Sequence, residues 1–160
     1  MPKPSVYIET SVVSYLCARP SKKHIVAAHQ ELTRAWWSRR DGYDLFASEV
    51  VVAEASAGDA GAAARRLAAL RDIPLLAQSA ETMALARELV ARGGLPSKAA
   101  VDALHVAIAA FGGVDYLLTW NCPHIADAAL RGRLEATCRA MGVEPPVICT
   151  PEELTEEVAS

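Results

Sequence analysis

The sequence is poor in the features that mark several common protein classes. Its four cysteines, Cys17, Cys122, Cys138 and Cys149, include no Cys-x-x-Cys pair. That argues against a disulfide framework and for reduced, mostly buried thiols. Cys122-Pro-His124 offers half the spacing of a zinc site, but no second ligand pair accompanies it. No apolar run approaches the ~20 residues that cross a bilayer. The opening segment, MPKPSVYIET, lacks the apolar core of a secretory signal. A cytoplasmic protein without a membrane partner is the expectation. Positive charge is also short: 16 Lys+Arg against 19 Asp+Glu give a net charge of −3. This weighs against a polybasic protein that coats nucleic acid, while leaving local patches open.

Three phosphate and acyl-transfer motifs are missing as well. The turn after the first apolar run, Glu9-Thr10-Ser11-Val12-Val13, has no glycine to let a backbone approach a pyrophosphate. No Gly-Lys-Ser/Thr and no Gly-x-Ser-x-Gly occurs anywhere. Dinucleotide binding, P-loop chemistry and a serine-hydrolase elbow are therefore poor candidates.

What is present is a helix-rich globular chain. Thirty-one of the 160 residues are alanine, and 52% are hydrophobic, which suits one well-buried domain. No repeat or linker divides it. Short apolar runs alternate with helical patterns. Strands are expected at Val6–Ile8, Tyr43–Ala47, Ile73–Leu76, Val114–Thr119 and Pro146–Cys149. Helices are expected from a Thr10 or Ser11 cap to Cys17, from a Ser21 cap to Gly42, and after Ser48. Others should cover 60–71, run from a Ser79 cap to Gly93-Gly94, run from a Ser97 cap through Phe111 to Gly112-Gly113, and cover 125–141. Five strands separated by helices predict an α/β fold, a three-layer α/β/α sandwich around a mainly parallel five-stranded sheet. The domain should occupy 1–150, with an acidic tail over 151–160 that carries Glu152, Glu153, Glu156 and Glu157.

Parallel sheets of this kind bind ligands beyond the carboxyl ends of their strands. The places to search are therefore Glu9-Thr10-Ser11 and Trp120-Asn121. Three acids occupy strongly apolar settings: Glu9 closes the first strand, Glu54 ends SEVVVAEAS, and Asp102 interrupts KAAVDALHVAIAA. A lone carboxylate is costly to bury. Each has an ordinary reading, on a solvated edge or paired with an arginine. Taken together they suggest a shared cation, and Mg²⁺ or Mn²⁺ prefers such oxygen ligands.

The stretches Val6-Tyr7-Ile8-Glu9-Thr10-Ser11, Ser48–Glu54, Val101–Ala107 and Leu117–Asn121 resemble the PIN-domain family, and within it the VapC-type toxins of bacterial toxin–antitoxin pairs. The resemblance spans roughly residues 5–150. It implies a Mg²⁺- or Mn²⁺-dependent endoribonuclease, with Glu9, Glu54 and Asp102 as metal ligands and catalytic residues. A fourth catalytic position falls on Asn121. It also implies an RNA substrate, a cognate antitoxin protein and a homodimer. Two positions depart from the family's usual pattern: Glu9 stands where Asp is commoner, and Asn121 replaces an acid. Asp127 is a candidate to compensate, and equally an ordinary acid of a first helical turn. A catalytically impaired interaction module and a housekeeping nuclease are the alternatives.

Around the acids, His105 lies three residues after Asp102 and reads as a core or supporting histidine. Lys22-Lys23, Arg39-Arg40, Arg65-Arg66 and Arg131/Arg133 are candidate phosphate contacts or ordinary solvated faces. Of the adjacent Trp36 and Trp37, one should face inward and the other outward, where it is free to stack a base or a partner. Setting aside the three candidate ligands and the four tail glutamates leaves twelve acids against sixteen bases. The remaining body is mildly basic, so the net charge does not argue against an RNA substrate.

Overall fold

A computed structural model describes residues 2–96, 99–121 and 128–154. Its centre is β1 (Ser5–Ile8), in which Val6, Tyr7 and Ile8 are all fully buried. A strand covered on both faces needs no polar alternation, which is why this run is continuously apolar. It pairs with β2 (Asp44–Ser48) on one side and β4 (Tyr116–Leu118) on the other. Tyr7 lies opposite Phe46 and Leu117. The edges are β3 (Leu75–Leu76) and β5 (Val147–Cys149). All four pairings are parallel, in the order β3-β2-β1-β4-β5. The expectation of a mainly parallel sheet is thus met by a wholly parallel one, although β3 shrinks to two residues.

Helices flank the sheet in two packed groups. One comprises α1 (Thr10–Cys17), α2 (His24–Trp37), α3 (Glu49–Ala55) and α4 (Ala60–Leu70). The other comprises α5 (Ala80–Ala91), α6 (Ala100–Phe111) and α7 (Ala128–Ala140). A 3₁₀ turn, Arg40–Gly42, separates α2 from β2. None of the described helices is long and apolar enough to cross a membrane.

Local sequence accounts for most boundaries. Ser48 caps α3 by accepting from Val51 N, and Ser79 with Thr82 forms a reciprocal box at the start of α5. Helix α6 stops at Gly113, whose φ of +69° favours glycine. There Gly113 N bonds Ala110 O at 3.1 Å and Val114 N bonds Ala109 O at 3.4 Å, the paired bonds of a Schellman motif. Two expected caps move. Helix α2 begins at His24 rather than at Ser21, whose hydroxyl accepts from Lys23 N one turn early. Helix α1 takes Glu9 as its N-cap residue without a side-chain cap bond, because the Thr10 and Ser11 hydroxyls are used elsewhere. The expected Ser97 cap, together with Cys122, His124 and Asp127, lies outside the described residues.

The first residues beyond 150 are ordered. Pro151–Leu154 forms a short helix, α8, whose Thr150 and Glu153 cap each other reciprocally. Leu154 is buried beside α2, and its carbonyl accepts from Tyr43 Oη at 3.2 Å. Glu152 and Glu153, expected in the acidic tail, therefore belong to this short helix with their side chains exposed. Cys17, Cys138 and Cys149 are free thiols; Cys138 is buried, which pushes its pKa up to about 11.

Candidate functional site

Strands β1 and β4 are neighbours in the sheet but far apart in the chain, so successive connections leave them in opposite directions. Ligands of open parallel sheets collect at such a switch point. Here Glu9 directly follows β1 and Thr119 directly follows β4, and Glu9 N extends the ladder by bonding Leu118 O at 3.1 Å. The Glu9 side chain is only 5% exposed. Its Oε1 accepts from Thr119 Oγ1 at 2.7 Å and from Ser11 Oγ. Those hydroxyls are themselves held by backbone: Trp120 N donates to Ser11 Oγ and Asn121 N to Thr119 Oγ1, both at 2.9 Å. Each hydroxyl thus donates a hydrogen bond to Glu9 while accepting one from a backbone N–H. The rotamer of Glu9 is fixed from two sides.

Glu54 approaches from the last turn of α3. Its Oε1 accepts from Thr10 Oγ1 and lies 2.7 Å from His105 Nε2. His105 is fully buried in α6, so this contact joins the two helical groups across the strand ends. The other ring nitrogen, Nδ1, lies 2.7 Å from Tyr7 Oη, which in turn lies 2.7 Å from Ser48 Oγ. Burial, above all, raises the Tyr7 pKa beyond its usual range, partly opposed by the Ser48 bond and reinforced by the charges of Glu9 and Glu54. Tyr7 therefore stays protonated. One assignment of protons satisfies every group: Ser48 donates to Tyr7, Tyr7 to His105 Nδ1, and His105 Nε2–H to Glu54. Partial burial acts to raise the pKa of Glu54, but the bonds from His105 and Thr10 outweigh it and leave the pKa below its ordinary value.

Glu9, Glu54 and His105 form a group whose ligand atoms all lie within 4.8 Å of one another. Asp102 is not a member. Its Oδ1 instead accepts from Asn121 Nδ2 at 2.7 Å. The two halves of the site remain linked, because the Asn121 amide is bonded to the same Thr119 hydroxyl that serves Glu9. Glu9, Asp102 and Asn121 thus share one hydrogen-bonded network, and Glu54 converges on Glu9 from a second one, held by Thr10 and His105.

Sequence reasoning missed Thr119 as the clamp of Glu9, Tyr7 and Ser48 as the support of His105, and Thr10 and Ser11 as hydroxyl donors to the two glutamates. A signal existed for the first two. Tyr7 and Thr119 are hydrogen-bonding residues at positions of otherwise apolar, central strands, where each must find a partner.

Four of the candidate cations, Arg39, Arg40, Arg65 and Arg66, hold backbone carbonyls. Arg65 Nε bonds Cys17 O at the end of α1, while Arg66 holds Ala55 O at the end of α3 and Ala57 O just beyond it. Arg40 bonds Trp37 O and lies 4.6 Å above the Trp37 ring. Trp36 is fully buried and Trp37 partly exposed, as the adjacency predicts. Trp37, however, lines a cleft with Lys3, Leu45 and Pro74 at the amino ends of the strands, opposite the acids.

Comparison with known proteins returns no match to the chain, whether among family models, curated proteins or solved structures.

Proposed function

We propose that this protein is a divalent-metal-dependent endoribonuclease of the PIN type, using Mg²⁺ or Mn²⁺. The observation that carries the reading is the electrostatics of Glu9. Among the described residues this buried carboxylate has no ion-pair partner, and the neighbouring Glu54 pairs only with His105. A buried carboxylate without an ion-pair partner, facing a second ionised acid, is expensive unless a cation joins them. The donor set, carboxylate oxygens backed by one imidazole, suits a hard divalent ion. Glu9 and Glu54 would hold it directly, with His105 orienting Glu54 from behind.

Such a cation would lower the pKa of a bound water and offset charge on the phosphoryl oxygens during in-line attack. The chain's own residues supply orientation. Ser11 and Thr119 fix Glu9, and Thr10 and His105 keep Glu54 ionised. A carboxylate held below its ordinary pKa is a good ligand and a weak base, so Glu54 positions a water rather than removing its proton. The role of toxin, neutralised by an antitoxin and acting as a homodimer, rests on the resemblance of the four motifs.

One observation favours a second reading, an interaction module with impaired catalysis. Asn121 stands where an acid is usual and occupies Asp102 Oδ1. Calorimetric titration with Mn²⁺, followed by cleavage of single-stranded RNA, separates the two. The nuclease reading expects saturable binding, cleavage that stops with chelator, and loss of both in Glu9→Gln. Folded protein that binds neither metal removes that reading. Binding without cleavage favours the module. Induced expression tests the biology: growth arrest relieved by Asp102→Asn supports a toxin, and normal growth with an active enzyme supports a housekeeping nuclease.

A further inference from the structure

Beside the acids stands an aromatic cluster that the proposed chemistry does not use. The rings of His29 and Trp120 are stacked, with centroids 4.1 Å apart and planes 15° from parallel. Tyr15 meets both edge-on, at 5.5 Å from His29 and 6.0 Å from Trp120. All three residues are half-buried, so each keeps part of its surface open to solvent. They come from α1, α2 and the segment after β4.

The cluster is anchored to the acids by short links. Trp120 immediately follows Thr119, which bonds Glu9, and its own amide donates to Ser11, which bonds Glu9 from the other side. At the far end of the indole, Nε1 donates to Thr33 Oγ1 at 2.8 Å, and that hydroxyl donates to His29 O at 2.6 Å. Trp120 is therefore pinned at both ends before any ligand arrives. A rigid aromatic surface loses little conformational entropy when something stacks on it. Among the described residues, His29 Nδ1 is buried without a hydrogen-bond partner. The ring forgoes a polar contact to keep its stacked orientation, which suits a platform better than a hydrogen-bonding group.

We propose that the stacked rings of Trp120 and His29, braced by Tyr15, form a shelf for an unpaired nucleobase next to the phosphate that meets Glu9 and Glu54. The inference rests on the ribonuclease reading and adds to it a base-stacking subsite beside the acids. A base within a duplex keeps its faces covered by its neighbours, whereas an unpaired base can be splayed onto an aromatic face. Stacking of this kind tolerates any base, so the shelf selects strand state more than sequence.

Anisotropy of a dye-labelled short oligouridylate, in chelator to prevent cleavage, gives the affinities without calling on catalysis, and tryptophan fluorescence reports contact with the shelf. Quenching is expected in the wild type. Apparent affinity should fall about tenfold or more in Trp120→Leu and in His29→Ala, and recover largely in Trp120→Phe. The same strand annealed to its complement should bind the wild type no better than the single strand binds Trp120→Leu. Equal affinities for wild type and His29→Ala, or for single strand and duplex, overturn the shelf, whether or not Trp120→Leu folds. The nuclease reading fails separately: quenching with no metal-dependent cleavage sinks it and leaves a single-strand-binding shelf. Cleavage unaffected by all three variants sinks the shelf and leaves the nuclease.

Discussion

His105 Nε2 stands 2.7 Å from Glu54 Oε1, a contact that ties the buried interior of α6 to a partly exposed acid of α3. Behind it the Tyr7 hydroxyl closes the relay, and all of its partners are buried. Removing that hydroxyl leaves His105 Nδ1 without a donor in a site water does not reach. Tyr7→Phe should therefore cost about 1–3 kcal/mol in urea denaturation. Combined with His105→Gln the losses should be non-additive by more than about 0.5 kcal/mol, because both variants break one network. Strict additivity would show that the relay is not a unit.

The same contact sets a pH dependence. The folded-state pKa of Glu54 lies below its ordinary value of 4.5, so its ionised form favours the folded protein. That contribution is complete above the ordinary value and is lost as pH falls through the folded one. The stability gap between wild type and Glu54→Gln should be level near neutrality and shrink below pH 4.5. With the side chain 39% exposed, solvent screening keeps the gap to about 1 kcal/mol or less. A gap that widens on acidification would contradict the assignment.

Much of this arrangement was legible in the sequence, for physical reasons that also explain the rest. The central strand announced itself because burial on both faces leaves only apolar residues at Val6 to Ile8. Glu9 and Glu54 stood out because an acid beside such runs has no cheap resting place. The hydroxyls of Thr10 and Ser11 were misread as helix caps, since capping and carboxylate binding ask for the same side chains. Spacing along α6 put His105 near Asp102, yet each side chain turned to a partner on another element, which periodicity within one helix does not encode. Arg65 and Arg66 looked available for phosphate because their acceptors, backbone carbonyls at the ends of α1 and α3, exist only once the chain has folded.

Asn121 offers a direct probe of how much charge the site tolerates. Its Nδ2 donates to Asp102 Oδ1 at 2.7 Å, so Asn121→Asp replaces a hydrogen bond by two facing carboxylates. Without metal the variant should lose on the order of 1 kcal/mol and melt earlier, by like-charge repulsion. Added Mn²⁺ should raise its melting temperature more than that of the wild type, because a ligand that binds only the folded state stabilises in proportion to its affinity. An equal Mn²⁺ response in the two proteins would detach Asp102 and Asn121 from any metal centre.

Arg66 separates structural from substrate roles among the cations. Its guanidinium spans two carbonyls at the end of α3 and just beyond it, Ala55 O at 2.9 Å and Ala57 O at 2.7 Å, one of them adjacent to Glu54. Arg66→Ala should cost about 1–2 kcal/mol and speed amide exchange at the end of α3, since charge-assisted bonds at a helix C-terminus are lost. Arg66→Lys should recover only part, because a single ammonium does not reproduce the planar fork. RNA affinity in Arg66→Ala, measured against salt, should keep the wild-type slope; a residue that neutralises a phosphate would lower it. A reduced slope with unchanged amide exchange would move Arg66 from the scaffold to the substrate surface.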